Sequence, residues 1–259
     1  MKGIRLAAAI VAISCLQAGA ARAQELAVAA ASDLQVVFPQ VAARFERDTG
    51  HFVRLTFGSS GNFLSQIQNG APFDLFFSAD IDDPRRLEAA GLAEPGTLTE
   101  YAVGSIVVWA RKDSGVDVQL GLKALDSPRV RKVAIANPEH APYGRAAVAA
   151  LQHEQLYNRV KAKFVLGENI SQAAQFVQSG NAEAGILALS IARAPALSST
   201  GSYSEIPSSF YPPIDQAAVV IRSSAHKDLA RQFLALLKQP DVAALLRQFG
   251  FASPSHSGR

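Results

Sequence analysis

The sequence is almost without cysteine: Cys15 is the only one among 259 residues. It lies in the first two dozen residues, so removal of that segment would leave no disulfide, no thiolate nucleophile and no cysteine-ligated metal. Charged residues are also scarce, at 18% against 49% hydrophobic ones. This composition excludes a disordered chain and a small disulfide-rich one. It favours one large domain or two smaller ones with substantial cores.

The first 23 residues have the layout of a secretory signal peptide. Lys2 and Arg5 form a short basic region, an apolar stretch covers residues 6–20, and residues 21–23 (Ala-Arg-Ala) match a small-x-small cleavage pattern. A membrane anchor is the alternative, but the apolar stretch is short for a spanning helix of about 20 residues and ends at the cleavage pattern. The sequence therefore predicts export to the periplasm through a cleavable signal peptide, residues 1–23.

Cleavage after Ala23 also changes the charge of the chain. The leader carries Lys2, Arg5 and Arg22, so its removal leaves 22 basic side chains against 22 acidic ones. A formally neutral chain argues against a nucleic-acid partner, which usually requires a basic surface. Lipid attachment at Cys15 is the less favoured alternative, because the residues before it make a poor lipobox.

Strand and helix patterns alternate three times in the first hundred residues. Leu26–Ala31 is an unbroken apolar run, typical of a strand buried on both faces. Residues 53–57 alternate as a second strand, residues 75–78 form a third, and helical spacing of apolar residues follows each of them. Pro39 interrupts the first helical pattern, so that helix either kinks there or begins there. The alternation predicts an α/β fold with parallel strand pairing.

The middle of the chain continues the pattern less regularly. Residues 103–110 are strongly β-forming, residues 133–136 predict a further strand and residues 146–160 a helix. Residues 198–213 are rich in Ser, Gly, Tyr and Pro, which predicts a loop. A late strand at residues 216–221 follows that loop.

A loop directly before a core-like strand indicates a chain that returns to an earlier domain. We therefore predict two α/β lobes, the first formed by residues 24–104 together with 211–259 and the second by residues 105–210. Two crossings between the lobes would leave a cleft where strand ends face helix N-termini.

Polar residues stand at four predicted strand-to-helix turns. Ser32 follows the first strand, residues 58–61 (Gly-Ser-Ser-Gly) follow the second, and Tyr143 and Asn169-Ile170 occupy corresponding places later. The first turn of a helix has unpartnered N–H groups and about half a positive charge, which together attract anions. A single serine before a helix is usually only a cap. The recurrence of polar residues at four strand ends, where α/β proteins bind ligands, predicts an anion site.

Five motifs in this order carry a family resemblance: Ala29-Ala-Ala-Ser-Asp-Leu34, Phe57-Gly-Ser-Ser-Gly61, Gly70-Ala-Pro-Phe-Asp-Leu-Phe-Phe-Ser-Ala-Asp80, Asn137-Pro-Glu-His-Ala-Pro-Tyr-Gly144 and Gly167-Glu-Asn-Ile170. Together they resemble the molybdate-binding proteins of bacterial ABC importers, a branch of the type II periplasmic binding proteins. The resemblance covers essentially the whole mature chain. It implies a two-lobed α/β fold with a hinged cleft, a tetrahedral oxyanion held from both lobes, and a permease in the inner membrane as partner.

The resemblance also implies which residues bind the oxyanion. The principal candidates are Ser32, Asp33, Ser60, Tyr143 and Ile170, with Ser59, Gly61 and Asn169 as possible additions. The two principal serines would donate through hydroxyl and N–H groups, and the others chiefly through N–H groups. Some relatives have a further tyrosine near the position of Ala188, so this chain is more similar to the branch with tyrosine in the Pro-Tyr-Gly motif. Asp33 places a carboxylate beside an anion, so its side chain should point away or be paired.

These motifs contain no lysine or arginine at the ligand positions. Roughly five to seven hydrogen bonds to a charged acceptor, at about 1.5–3 kcal/mol each, would offset the loss of hydration. Donors alone favour an anion that carries no proton, such as molybdate, tungstate or sulfate. Molybdenum would be bound only as its oxyanion, with no protein ligand to the metal and no cofactor.

The favoured prediction is a monomeric protein that binds molybdate and tungstate, and two alternatives to it remain. One is a binding protein for sulfate or another small oxyanion. The other, more remote, is a serine hydrolase. The second lacks a Gly-x-Ser-x-Gly motif, since residues 58–61 are one residue too short. The five histidines also lack metal-ligand spacing, so we predict that the protein is not an enzyme.

Overall fold

A computed structural model describes residues 23–254. The predicted signal peptide therefore lies outside the described residues, except for Ala23. Within the described part of the chain, no helix combines the length and the apolar character that crossing a membrane requires.

The first sheet has five strands in the order β2-β1-β3-β10-β4. Its strands are β1 (Glu25–Ala31), β2 (Phe52–Gly58), β3 (Leu75–Ser78), β4 (Thr99–Gly104) and β10 (Ile214–Val220). β1 pairs in parallel with β2 and β3, whereas β10 runs antiparallel to β3 and β4. The late strand β10 thus returns the chain to the sheet with which it began.

The second sheet is built the same way, in the order β7-β6-β8-β5-β9. Its strands are β5 (Ile106–Arg111), β6 (Val133–Ala136), β7 (Phe164–Gly167), β8 (Ala184–Ala188) and β9 (Gly201–Glu205). β6 pairs in parallel with β7 and β8, and β5 runs antiparallel to β8 and β9. Two mixed sheets flanked by helices give a two-lobed α/β architecture, as predicted.

Ten α-helices are described between and after the strands: α1 (Phe38–Thr49), α2 (Ser60–Gln68), α3 (Asp82–Ala89), α4 (Pro142–His153), α5 (Tyr157–Val160), α6 (Ile170–Gln178), α7 (Leu189–Ala192), α8 (Pro195–Ser198), α9 (Lys227–Leu236) and α10 (Pro240–Gln248). A 3₁₀ helix, Ser32–Val36, joins β1 to α1. Pro39 lies in the first turn of α1, so the main helix begins there rather than kinks.

Three predicted elements were wrong in extent. The β-forming segment 103–110 is not one strand, because Ser105 separates β4 in the first sheet from β5 in the second. The predicted loop 198–213 contains β9, which is held by its pairing with β5. The predicted helix 146–160 begins earlier, at Pro142, and is interrupted near Gln155, whose φ is +57°.

Apolar side chains cover both faces of the first sheet and fill the second lobe. On one face Phe77 packs edge-on against Phe38, with ring centroids 4.9 Å apart. On the other face Phe76 packs with Phe63. A separate cluster around the fully buried Trp109 forms the core of the second lobe. Each sheet therefore packs on its own apolar cluster, and the cluster of the second lobe extends to Ala31 and Ala79 of the first, where the two lobes meet.

Candidate functional site

The carboxyl ends of the parallel strands bring the predicted turns together. Ala31 is paired with Gly58 at the ends of β1 and β2, and Ala136 with Gly167 at the ends of β6 and β7. Each strand is followed by a helix or a turn that leads into one. Helix N-termini from both lobes consequently face one another, which is the arrangement expected of a ligand site in an α/β protein.

A small hollow lies where these helix N-termini meet. It is lined by Ala31, Ser32, Asp33, Gly58, Ser59, Ser60, Ala79, Ala141, Pro142, Tyr143, Asn169 and Ile170. Its volume is about 10 Å³ for the centre of a water-sized atom. The four oxygen centres of a tetrahedral oxyanion enclose only a few cubic ångströms, whereas an amino acid or a sugar would not fit. The predicted residues thus surround one space of ionic size, and of the eight only Gly61 is not part of its lining.

The hydroxyl of Ser60 is positioned to donate a hydrogen bond. Ser60 is the first residue of α2 and is 1% exposed. Its Oγ accepts a hydrogen bond from the N–H of Ala79 at 3.0 Å. Because this bond occupies an acceptor site of the oxygen, it fixes the side chain and leaves the hydroxyl hydrogen for another partner.

Two backbone N–H groups of the second lobe lie in the first turns of helices. Ile170 opens α6, and the side chain of Asn169 caps that helix by accepting from the N–H groups of Ser171 and Gln172 at 3.0 and 3.1 Å. Tyr143 follows Pro142 in the first turn of α4. The N–H groups of Ile170 and Tyr143 have no acceptor within their own helices, because such bonds begin only later in a helix.

Ser59 and Gly61 contact the other lobe. The hydroxyl of Ser59 donates to the carbonyl oxygen of His140 at 2.6 Å, and the N–H of Gly61 donates to the same oxygen at 3.0 Å. A Cβ atom on Gly61 would lie 2.6 Å from that oxygen. These two groups therefore fasten the lobes together beside the hollow, and the Ser59 hydroxyl is engaged there.

The carboxylate of Asp33 is fully buried and paired through one oxygen. Its Oδ2 accepts from the Tyr143 hydroxyl at 2.8 Å and from Nε2 of Gln216 at 2.6 Å, while its Oδ1 has no hydrogen-bond partner among the described residues. Burial raises the pKa of Asp33 to about 6, although the bonds from Gln216 and Tyr143 lower it. The Tyr143 hydroxyl is thus directed to Asp33, which leaves the backbone N–H of Tyr143 for a ligand.

Three residues at the site were not predicted from the sequence. Gln216 is a fully buried polar side chain in strand β10, where every other buried residue is apolar, and a polar residue beside the apolar run 217–220 was a signal that could have revealed it. Ser171 and Ser190 donate from the second lobe to the carbonyl oxygens of Ser32 and Asp33, each at 2.9 Å. They hold the 3₁₀ turn of the first lobe against the second.

The charge of the lining is unusual for a site that binds anions. Among its lining residues there is no lysine, arginine or histidine, and Asp33 is the only carboxylate. The nearby guanidinium of Arg145 is paired with Asp80. Any positive potential must come from N–H groups and helix dipoles, which suits a small anion held by hydrogen bonds.

Known proteins match this chain over almost its whole described length. Residues 26–252 match the family model of bacterial extracellular solute-binding proteins. The molybdate-binding protein ModA of Azotobacter vinelandii is 40% identical over 236 residues, covering 91% of this chain and 93% of that relative. The molybdate-binding protein ModA of Rhodobacter capsulatus is 36% identical over 233 residues, covering 90% of each.

Solved structures agree with the sequence relatives. The periplasmic molybdate-binding protein of Azotobacter vinelandii superposes with a TM-score of 0.82 at 37% identity, covering 89% of this chain and 100% of that one. The sulfate-binding protein SubI of Mycobacterium tuberculosis has a TM-score of 0.72 but only 16% identity, so that likeness concerns the fold alone. The chain belongs to the bacterial extracellular solute-binding protein family, and within it to the molybdate-binding proteins that its motifs resemble.

Proposed function

We propose that this protein captures molybdate in the hollow between its lobes, through uncharged N–H and O–H donors, and delivers it to an ABC permease. The observation that carries the proposal is the meeting of helix N-termini from both lobes around a hollow whose lining has no basic side chain. The relatives named as molybdate-binding proteins support this choice of ion. Members of this family are transport binding proteins, so the hydrolase alternative is set aside.

The proposed donors are Ser32, Asp33, Ser60, Tyr143 and Ile170. Ser60 and Ser32 would each offer a hydroxyl and an N–H group, and the others their N–H groups. Charge-assisted hydrogen bonds of this kind contribute about 1.5–3 kcal/mol each. Ser59, Gly61 and Asn169 would act indirectly, because their polar groups hold the opposite lobe or cap α6.

Selectivity would depend on protonation and on size. Phosphate carries a proton at neutral pH and needs an acceptor for it, whereas molybdate, tungstate and sulfate need only donors. The Asp33 carboxylate is directed to Tyr143 and Gln216, from which its Oδ2 accepts two hydrogen bonds. Among the three unprotonated ions, a cavity slightly too large for sulfate would favour molybdate and tungstate. Sulfate is the second candidate ligand.

The remaining parts of the proposal concern location and partners. The leader sequence supports export, and we propose that the mature protein acts in the periplasm as a monomer beside an inner-membrane permease. The two sheets support lobes formed by residues 24–104 with 211–259 and by residues 105–210. The crossings near Ser105 and at residues 206–213 would then be the hinges.

Ligand identity is tested by thermal unfolding and by elemental analysis. We expect 1 mM molybdate or tungstate to raise the melting temperature clearly, sulfate to raise it little and phosphate not at all, because a ligand stabilises the state that binds it. Purified protein exposed to an equimolar mixture of the four ions, then desalted, should retain Mo and W. Equal stabilisation by sulfate would reject molybdate selectivity, and no stabilisation by any of them would reject the oxyanion site.

A further inference from the structure

Tyr143 connects the two lobes through its side chain, next to the hollow. It belongs to α4 of the second lobe, yet its hydroxyl donates to Asp33 and accepts from Gln216 at 3.0 Å, both in the first lobe. Asp33 and Gln216 are fully buried and Tyr143 is 3% exposed. Separation of the lobes would break these bonds together, so the phenol is bound in this way only while the lobes are in contact.

Gly104 provides the space for this phenol. It is the last residue of β4, beside the first crossing between the lobes, and it is paired with Ile214. A Cβ atom at Gly104 would lie 2.3 Å from the hydroxyl oxygen of Tyr143 and 3.0 Å from its Cζ. Gly104 is not among the described glycines with positive φ, so its backbone suits any residue. Glycine is required here for space and not for conformation.

We propose that Gly104 is a positioning residue for oxyanion binding: it leaves room for the Tyr143 phenol to bind Asp33 and Gln216 when the lobes close. This inference rests on the proposed function of the hollow and concerns a residue outside its lining. Tyr143 would then have two roles, one through its backbone and one through its side chain. Its N–H would donate to the oxyanion, and its hydroxyl holds the same residue against the first lobe.

The mechanism links closure to affinity. A ligand that bridges two lobes binds the closed form, and its apparent affinity falls in proportion to any loss of that form. A methyl group at Gly104 would displace the phenol, because Gly104 is held in a paired strand and the two groups cannot occupy the same space. The methyl would also meet the amide of Gln216 at 2.9 Å, which is a milder conflict than the 2.3 Å to the phenol oxygen and lies within the first lobe.

Gly104→Ala tests the proposal, and a substitution at a glycine that packs inside one lobe is the control. We expect the variant to bind molybdate at least about tenfold more weakly in calorimetry, and to show less ligand-induced contraction in small-angle X-ray scattering. Its unliganded melting temperature should stay near that of the unaltered protein. Gly201→Ala is the contrast, because its Cβ would lie 2.0 Å from Trp109 within the second lobe. That variant should lose unliganded stability.

A double-mutant cycle with Tyr143→Phe isolates the contact. The phenylalanine lacks the oxygen that lies closest to the added methyl, so Gly104→Ala should weaken binding several-fold less in the Tyr143→Phe background. Equal effects in both backgrounds would overturn the proposal. So would unaltered affinity and contraction in Gly104→Ala, or a fall in its unliganded melting temperature like that of Gly201→Ala. If the unaltered protein bound no oxyanion, the proposed function would fail first, which is a distinguishable result.

Discussion

Asp33 and Tyr143 are joined across the boundary between the lobes, with the phenol hydroxyl 2.8 Å from the carboxylate Oδ2. The sequence raised the question of how a carboxylate can lie beside an anion site. The structure answers it with two donors on one oxygen and with burial that favours the neutral acid. The same pairing directs the Tyr143 hydroxyl to Asp33, so only the backbone N–H of this residue is left for a ligand.

Asp33→Asn should change how stability depends on pH. The pKa of Asp33 rises from 3.8 to about 6 in the folded protein, so the neutral form stabilises the fold below about pH 4. That contribution is lost as the pH rises through 6, on the order of 3 kcal/mol in all. Relative to the unaltered protein, Asp33→Asn should therefore gain stability in urea unfolding between pH 4 and pH 8, because an amide oxygen still accepts from Tyr143 and Gln216.

Asp83 provides the internal comparison for this experiment. Burial raises the pKa of Asp83 to about 6 as well, so part of the pH dependence should persist in Asp33→Asn. Only Asp33 lies at the hollow, and only its ionisation would place a like charge beside the oxyanion. Molybdate should thus bind Asp33→Asn at least as tightly as the unaltered protein at pH 8. Parallel stability curves for the two proteins would contradict a titrating Asp33.

Ser60→Ala should weaken molybdate binding by about 1–3 kcal/mol, because it removes a buried hydroxyl donor. Its effect on the unliganded protein should be smaller, although the N–H of Ala79 loses an acceptor. Ser65→Ala is the matched control, since Ser65 is exposed in the same helix. Isothermal titration calorimetry on both variants decides the point. An unchanged dissociation constant for Ser60→Ala would exclude its hydroxyl from the ligand set.

The turns of the site could be predicted from the sequence because each is a local pattern. Ser32 follows β1 directly, Ser60 and Ile170 come two and three residues after the ends of β2 and β7, and parallel pairing brings such strand ends to one edge. Ser171 and Gln216 could not be found this way. Their partners lie 139 and 183 residues away in the chain, so even where a polar residue beside an apolar run singles out Gln216, the sequence does not indicate which group it contacts.

The errors in the fold have a similar cause. β9 has the composition of a loop, and it becomes a strand because Val107 to Arg111 offer it a sheet edge. Ser105 divides a continuous β-forming segment because the chain leaves one sheet there and enters another. Both outcomes depend on tertiary pairing, which overrides the local preference of a short segment.

Asn169→Ala should reduce both stability and affinity. The Asn169 side chain caps α6 through two N–H groups, and loss of such a cap costs about 1 kcal/mol of stability. The same loss would loosen the first turn that carries the N–H of Ile170. Thermal unfolding without ligand and calorimetry with molybdate should therefore change together. A stability loss with intact affinity would show that the cap does not position the ligand donor.

Ser171→Ala should weaken binding through closure of the lobes. Its hydroxyl donates to the carbonyl oxygen of Ser32 in the first lobe, so the variant loses a buried interlobe bond of about 1 kcal/mol. Ser179→Ala is the matched control, because Ser179 caps the other end of α6 and bonds only locally, to Phe176. We expect molybdate to dissociate several-fold faster from Ser171→Ala in stopped-flow experiments, while association changes little. Identical dissociation rates in the two serine variants would show that this bond does not hold the closed form.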